Sequence, residues 1–305
     1  MLDVIGLGAL NLDKLHRVEE ILQDGETFVL DEEWHPGGSA ANTICQLGSL
    51  GLATGFVGAV GDDPEGKRVV EHMAARGVDT GHIAVKPGER TGVATGFVDR
   101  AGRRALYVSP GANRQLARSD IRIEYLEAAR WLHLSSFADR RHLELQTWLV
   151  EQVIGPESRL SFAPGALYAR LGLAAIAPIL SKTAVLFVNR YEVEVLTGTG
   201  YEVGTRGLLS LGPRLVAVTL GAEGSYVVDG EGEHRIAVVP TTVVDTTGAG
   251  DAYAAGFLYG LLTGRKPDDA GRFGSVLAAR CVANFGATAH TITRDWLEAE
   301  FAASR

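Results

Sequence analysis

The segment Asp245-Thr246-Thr247-Gly248-Ala249-Gly250-Asp251 holds the residues best suited to chemistry, a polar turn with two glycines leading into an apolar stretch of helical period. The first turn of a helix has N–H donors without intrahelical acceptors and carries the positive end of the macrodipole. A Gly-Ala-Gly start lets phosphate oxygens approach those donors unobstructed, so Gly248, Ala249 and Gly250 read as an anion hole. Asp251 falls in the same turn, where the dipole favours a carboxylate ready to accept a proton. A base beside a phosphate cradle is the equipment of phosphoryl transfer. Small residues follow, Ala252, Ala254, Ala255 and Gly256, which would let the helix pack closely and fix Asp251 in place. Taken alone, the segment fits equally well a glycine turn whose acidic residue merely complements a helix dipole.

Other groups could serve the same reaction. Gly37 and Gly38 precede Asn42; two glycines open the backbone to a polyol, and an asparagine both donates to and accepts from vicinal hydroxyls. Asn11 and Asp13 follow the first apolar run. Gly6 and Gly8 there lack the third glycine of a dinucleotide fingerprint, Asn11 standing in its place, which argues against a Rossmann site. Asn189 and Glu192 close a strongly apolar run, at the strand end where open α/β sheets bind ligands. Their oxygens suit magnesium, often through water. Thr219 to Gly224 joins two β-like runs, and Gly221 and Gly224 could admit nucleotide phosphates or ribose close to the backbone.

Several chemistries are excluded. Gly61 to Arg68 nearly spells a P-loop, but Arg68 replaces the magnesium-binding Ser or Thr and carboxylates crowd the loop; Pro64 reads instead as a first-turn helix residue capped by Asp62 or Asp63. No histidine has a metal-site partner at helical spacing and no Gly-x-Ser-x-Gly elbow occurs, so His16, His133 and the others default to structural roles.

The elements that must hold these groups read as an α/β fold. Short Val/Ile/Leu-rich runs alternate with helical segments, the pattern of a mostly parallel buried sheet with helices on both faces. Strands are expected over Leu2 to Gly8, Thr54 to Gly61, Trp131 to Ser135, Leu160 to Ala163, Ala184 to Asn189 and Arg214 to Gly221. Helices are expected over Ala40 to Leu50, Pro64 to Arg76, His142 to Ile154, Leu171 to Leu180, Ala249 to Leu262, Asp268 to Ala283 and Arg294 to Phe301, the last capped by Thr293. Glu26 to Trp34 and Gly92 to Val108, the latter turning at Arg100-Ala101-Gly102, break the alternation and predict a small antiparallel sheet acting as a lid. One domain, 1–305, is expected, with lid segments about 12–36 and 92–110. The 305 residues are 46% hydrophobic and 22% charged, ordinary for a globular protein, and the net charge of -8 argues against nucleic acid and anionic membrane as partners. The start lacks a signal-peptide pattern, and Cys45 and Cys281 lack disulfide or zinc spacing, which fits a reducing cytoplasm.

Asp245 to Asp251 resembles the second signature of the ribokinase-like, or PfkB, carbohydrate kinases; Gly37 to Asn42 with Gly55 to Asp63 is similar to the first. The resemblance spans nearly the whole chain. It implies a ribokinase-like three-layer α/β/α fold with a small β-sheet lid, ATP as phosphoryl donor, magnesium, and Asp251 as the base that deprotonates the acceptor hydroxyl. It implies that Asn11, Asp13, Gly37, Gly38 and Asn42 bind the sugar, and that Thr219, Gly221, Gly224, Asn189 and, on the adenine side, Asn284 with Gly286 meet the nucleotide. It further implies magnesium at Glu192 and Asn189, and potassium beside Asp245 and Thr247. Ser161 to Leu167 departs from the Asp-x-Asn-x-Arg element of many fructose- and ketodeoxygluconate-type members, which counts against a sugar acid. Val108 to Asn113 looks ribokinase-like. A pentose such as ribose is favoured, with a nucleoside as alternative and, from another class, a silent sugar or nucleotide sensor. A homodimer through the lid is the expected assembly.

Overall fold

The computed structural model describes residues 1–100, 103–155, 159–288 and 292–303. The chain opens with β1 (Leu2–Leu7), β2 (Asn11–Val18), β3 (Val29–Gly37), α1 (Ser39–Ser49), β4 (Thr54–Gly61) and α2 (Pro64–Ala74). Then come β5 (Val78–Asp79), β6 (Ile83–Lys86), β7 (Gly92–Val98), β8 (Arg104–Ser109), α3 (Ile123–Glu127), β9 (Ala129–Ser135) and α4 (Arg140–Val153). The middle continues with β10 (Arg159–Ala163), α5 (Gly165–Ala169), α6 (Leu173–Leu180), β11 (Thr183–Asn189), α7 (Arg190–Thr197) and α8 (Tyr201–Leu209). The rest is β12 (Leu215–Thr219), β13 (Ser225–Asp229), β14 (Glu233–Ile236), α9 (Ala249–Leu262), α10 (Pro267–Val282) and α11 (Arg294–Ala303).

The large sheet runs β14-β13-β12-β11-β10-β9-β1-β4-β5, with β6 beside the far end of β4. From β12 to β5 the pairs are parallel, and β13 and β14 extend one edge as antiparallel hairpins. Both faces are covered, so the middles of β11 and β12 are continuous apolar runs, Val185 to Val188 and Leu215 to Val218. One core lies between the sheet and α1, α2, α9, α10 and α11, the other under α3 to α8. β1 lies between β4 and β9, a point where the strand order reverses, and loops at the carboxyl ends of the strands open a crevice there. α9 is buried nearly all round, from Ala252 to Gly260, so it is a core helix whose first turn is held firmly. α2 starts at Pro64 with Asp63 as N-cap, its Oδ1 accepting from the Gly66 N–H at 2.8 Å, which bears out the helical reading of this near-P-loop.

The second sheet, order β3-β2-β7-β8, is mixed rather than antiparallel. β2 pairs β3 and β7 pairs β8 antiparallel, but β2 and β7 run parallel. β2 leaves the large sheet from β1 and β7 leaves it after β6, both heading the same way, and each is returned by its own partner. β2 is legible only in hindsight: Asp13, Lys14, His16 and Arg17 interrupt its apolar positions and lower its β propensity. The expected turn at Arg100-Ala101-Gly102 falls partly outside the described residues. α6 begins at Leu173 instead of Leu171, because Gly172 has φ +88° and breaks the chain from the turn before it. Thr293 caps α11 as expected, its Oγ1 accepting from the Trp296 N–H at 3.2 Å. Among the described residues no helix is long and apolar enough to cross a membrane.

Candidate active site

Asp251 lies in the first turn of α9, and its carboxylate is gripped from α1. Ser39 Oγ donates to Oδ1 at 2.6 Å and Asn42 Nδ2 donates to Oδ2 at 2.8 Å. Thr43 Oγ1 adds a bond to the Asp251 carbonyl at 3.2 Å, so the two helix starts are tied together. Ser39 escaped the sequence reading, although its i, i+3 spacing to Asn42 puts both on one helix face. α1 can begin there because Gly38 has φ 115°, and a Cβ on it would lie 2.1 Å from the Ala9 carbonyl oxygen.

A cavity of about 480 Å³ lies in front of Asp251. Asn11, Asp13, Gly38, Asn42, Asn189, Glu192, Thr219 and the turn Thr246 to Asp251 all line it. Gly37 does not line it; it makes room for Asp13, whose carboxylate oxygen lies 2.2 Å from where a Gly37 Cβ would be. Asn11 Oδ1 accepts from Asn113 Nδ2 at 3.0 Å, and buried Asn113 also accepts from the Leu10 N–H at 2.8 Å, fixing the entry to β2.

A second, mostly apolar cavity of about 470 Å³ lies on the other side of the turn. Gly221 and Gly224 line it, with Val238, Val239, Tyr253 and Ala279. Thr219, Thr246, Ala249 and Gly250 line both cavities, so the start of α9 is the partition between them. Asn284 and Gly286 line neither: the Asn284 amide donates to the Arg280 carbonyl at 2.7 Å, and the Gly286 N–H donates to Asp245 Oδ2 at 3.1 Å. Asp245 is buried away from both cavities, its other oxygen accepting from the Thr247 N–H at 2.9 Å. It ties the turn to the segment after α10, as does Cys281, whose thiol lies 3.4 Å from the Thr247 carbonyl and 3.6 Å from that of Ala287. His133 packs inside the sheet against Ser161 and Phe187, and His16 stacks on Phe97, away from the chemistry.

Asn189 and Glu192 form a reciprocal cap at the start of α7. Asn189 Oδ1 accepts from the Glu192 N–H at 2.9 Å, while the Glu192 carboxylate accepts from the Asn189 N–H at 3.0 Å and from its Nδ2 at 2.9 Å. Burial pushes the Glu192 carboxyl up to about 7, with the Asp251 charge adding to the shift and the Asn189 bonds opposing it. The two carboxylates therefore face one site. These groups fit magnesium: a carboxylate has about four lone-pair positions, so Glu192 can still receive a metal-bound water, and magnesium uses one or two carboxylates alongside substrate phosphates.

Comparison with known proteins decides the family. The model of the pfkB family of carbohydrate kinases matches residues 1–294. The chain belongs to this family. It is 38% identical over 244 residues to an uncharacterized sugar kinase of Archaeoglobus fulgidus, covering 79% of this chain and 96% of that one. An ATP-dependent ribose-1-phosphate kinase of Halopiger xanaduensis is 31% identical over 265 residues, 86% of each chain. The solved ribokinase of Thermotoga maritima superposes with a TM-score of 0.86 at 25% identity, over 99% of this chain and 100% of that one. As a PfkB member, this chain is a phosphotransferase acting on a hydroxyl of a sugar or nucleoside. Kinases of this family use ATP.

The raised Glu192 pKa has a measurable consequence for this PfkB chain. A carboxyl whose folded pKa lies above its unfolded value adds stability below the unfolded value of 4.5, and that stability is lost as pH rises through about 7. The loss is on the order of 3 kcal/mol. Glu192→Gln keeps the cap but cannot ionise, so without metal its stability relative to the native chain is expected to improve as pH rises from 5 to 8. Melting temperatures across that range check this, and magnesium with ATP should flatten the native chain's dependence by favouring the carboxylate. A constant difference between the two proteins would show that Glu192 does not titrate there.

Proposed function

We propose that this chain transfers the γ-phosphate of ATP to a hydroxyl of a pentose-type sugar, with Asp251 as general base. The observation that carries this is the position of Asp251, gripped by Ser39 and Asn42 at the partition between a polar and an apolar cavity. A nucleotide on the apolar side, against Gly221 and Gly224, would present its terminal phosphate at Gly250, and an acceptor on the polar side would present a hydroxyl to Asp251.

In this reading Asp13 and Asn11 orient the acceptor's hydroxyls, and Gly38 lets it approach the backbone. Asn42 supports the base, leaving its side-chain carbonyl to accept from substrate. Asp251 takes the proton as the hydroxyl attacks, and the first-turn donors of α9 stabilise the charge on the transferring group. Glu192 and Asn189 would hold the water shell of a magnesium ion bound with ATP, which would supply positive charge against the phosphates. The second sheet serves as a lid, bringing Asp13 over the acceptor and excluding water that would otherwise consume ATP.

Potassium beside Asp245 and Thr247 rests on the resemblance. Asp245 is buried, and the Thr247 and Ala287 carbonyls gather beside it around Cys281, so cation and carbonyl oxygens would have matching chemistry. Turnover is expected to fall when potassium is replaced by tetramethylammonium, which is too large for such a loop; equal rates remove the cation from the cycle. The function itself is tested by ADP release over a panel of pentoses, hexoses and nucleosides. Binding without turnover throughout would favour a sensor.

A further inference from the structure

We propose that the acceptor is an uncharged riboside, a pentose carrying a neutral flat ring with apolar faces, instead of a free or an anionic sugar; this rests on the kinase reading above. The cavity before Asp251 has two unlike halves. Its floor is polar, built from Asn11, Asp13, Ser39, Asn42 and Asp251. The rest of its lining is apolar, with Leu106 and Val108 of β8 beside Asp13, Leu167 of α5, and Phe137 after β9.

The placement of these apolar groups follows from register. Asp13 lies opposite Ala94, which lies opposite Val108, and Leu15, Gly96 and Leu106 form the next row. Directly paired residues share a sheet face, so Val108 and Leu106 stand on the same inner face as the substrate-binding Asp13. Leu106, Val108 and Leu167 are 46%, 38% and 43% exposed. Three large apolar side chains from two separate segments thus converge, uncovered, on one cavity. Such convergence marks where an apolar part of a ligand sits. A free pentose, with hydroxyls all round, would satisfy the floor and leave this wall wet. The volume of about 480 Å³ leaves room for a ring beyond the pentose.

Charge narrows the class further. Among the described residues lining this cavity there is no Lys, Arg or His, while Asp13, Glu192 and Asp251 are all present. A phosphate ester or carboxylate on the acceptor would enter a site with no basic side chain, beside the carboxylates of Asp13 and Asp251. A neutral ring meets no such penalty.

The test is calorimetric titration of the full chain, with the nucleotide side filled by a non-hydrolysable ATP analogue and magnesium, using ribose, inosine, cytidine and ribose 1-phosphate. Inosine or cytidine is expected to bind at least about tenfold more tightly than ribose, with ribose 1-phosphate no better than ribose. Leu106→Ser and Leu167→Ser should each weaken riboside binding several-fold more than ribose binding. Free ribose equal to the ribosides, ribose 1-phosphate tightest, no binding by any of the four, or an unchanged preference in the serine variants would overturn the proposal. Closure of the lid onto α5 with nothing between would give the first of these. ADP release is read separately. Tight riboside binding without turnover keeps the ligand class and sinks the kinase reading, whereas turnover of free ribose alone keeps the kinase and overturns the ligand class.

Discussion

Asp251→Asn is expected to lower turnover by about three orders of magnitude or more while leaving ATP affinity nearly unchanged. General-base catalysis by one positioned carboxylate is worth about 10² to 10⁴ in rate, and no other carboxylate is held in the first turn of α9. An amide there keeps the size of the side chain but cannot accept the proton. It also meets two donors, Ser39 Oγ and Asn42 Nδ2, with only one acceptor oxygen, so a small loss of stability on the order of 1 kcal/mol should accompany the change. An internal control is available. The Asp251 charge helps raise the Glu192 pKa, so Glu192 should titrate at lower pH in the variant, by a carbon-13 carboxyl shift. Near-native turnover in a folded variant would remove Asp251 from the mechanism.

The two glycines at the start of α9, which the proposed mechanism uses as an anion hole, are expected to respond in different ways to alanine. Gly248 has φ +77°, and a Cβ on it would lie 2.2 Å from the Ala287 Cβ and 2.8 Å from its Cα. Gly248→Ala therefore incurs about 1 to 2 kcal/mol of left-handed strain and forces the turn off the segment behind it. Melting temperature and turnover should both fall. Gly250 is in α9, and a Cβ there would meet nothing within 4 Å. Gly250→Ala is expected to leave stability unchanged or raise it by up to about 0.5 kcal/mol, yet to cut turnover on the order of a hundredfold by placing a methyl where the phosphoryl group must pass. Parallel thermal melts and ADP-release rates check this. A Gly250→Ala enzyme with native turnover would mean the transferring group passes elsewhere.

These two experiments rest on different kinds of legibility. The geometry of the Asp245 to Asp251 turn is legible because it is local: the glycines, the helix start and Asp251 are contiguous, and a helix terminus behaves alike wherever it is placed. The parallel sheet is legible for a related reason, since strands buried on both faces are mostly apolar runs. Asn189 and Glu192 stand out by position at a strand end, and their reciprocal cap both begins α7 and leaves Glu192 lining the cavity.

What escaped the sequence depends on contacts between distant segments. Asn42 reads from the sequence as a substrate group, and the fold adds that across 209 residues it also holds Asp251, beside Ser39 from 212 residues away. The family resemblance implies Asn284 at the nucleotide, whereas its amide turns back to its own helix end. The second sheet was expected to be antiparallel because hairpins are local signals, while the β2–β7 pairing that makes it mixed joins strands whose directions are set by where they leave the large sheet.

The sequence by itself determined that a glycine-bearing turn begins α9, that Asp251 stands in its first turn and that a parallel sheet supports it, because these follow from backbone geometry and hydrophobic period. Only the tertiary structure decided that Ser39 and Asn42 hold the Asp251 carboxylate, that the start of α9 divides a polar from an apolar cavity, and that Leu106 and Val108 share a sheet face with Asp13 while Leu167 lines the same cavity. Those are properties of register and of helix starts brought together through the core, and no local pattern of residues encodes them.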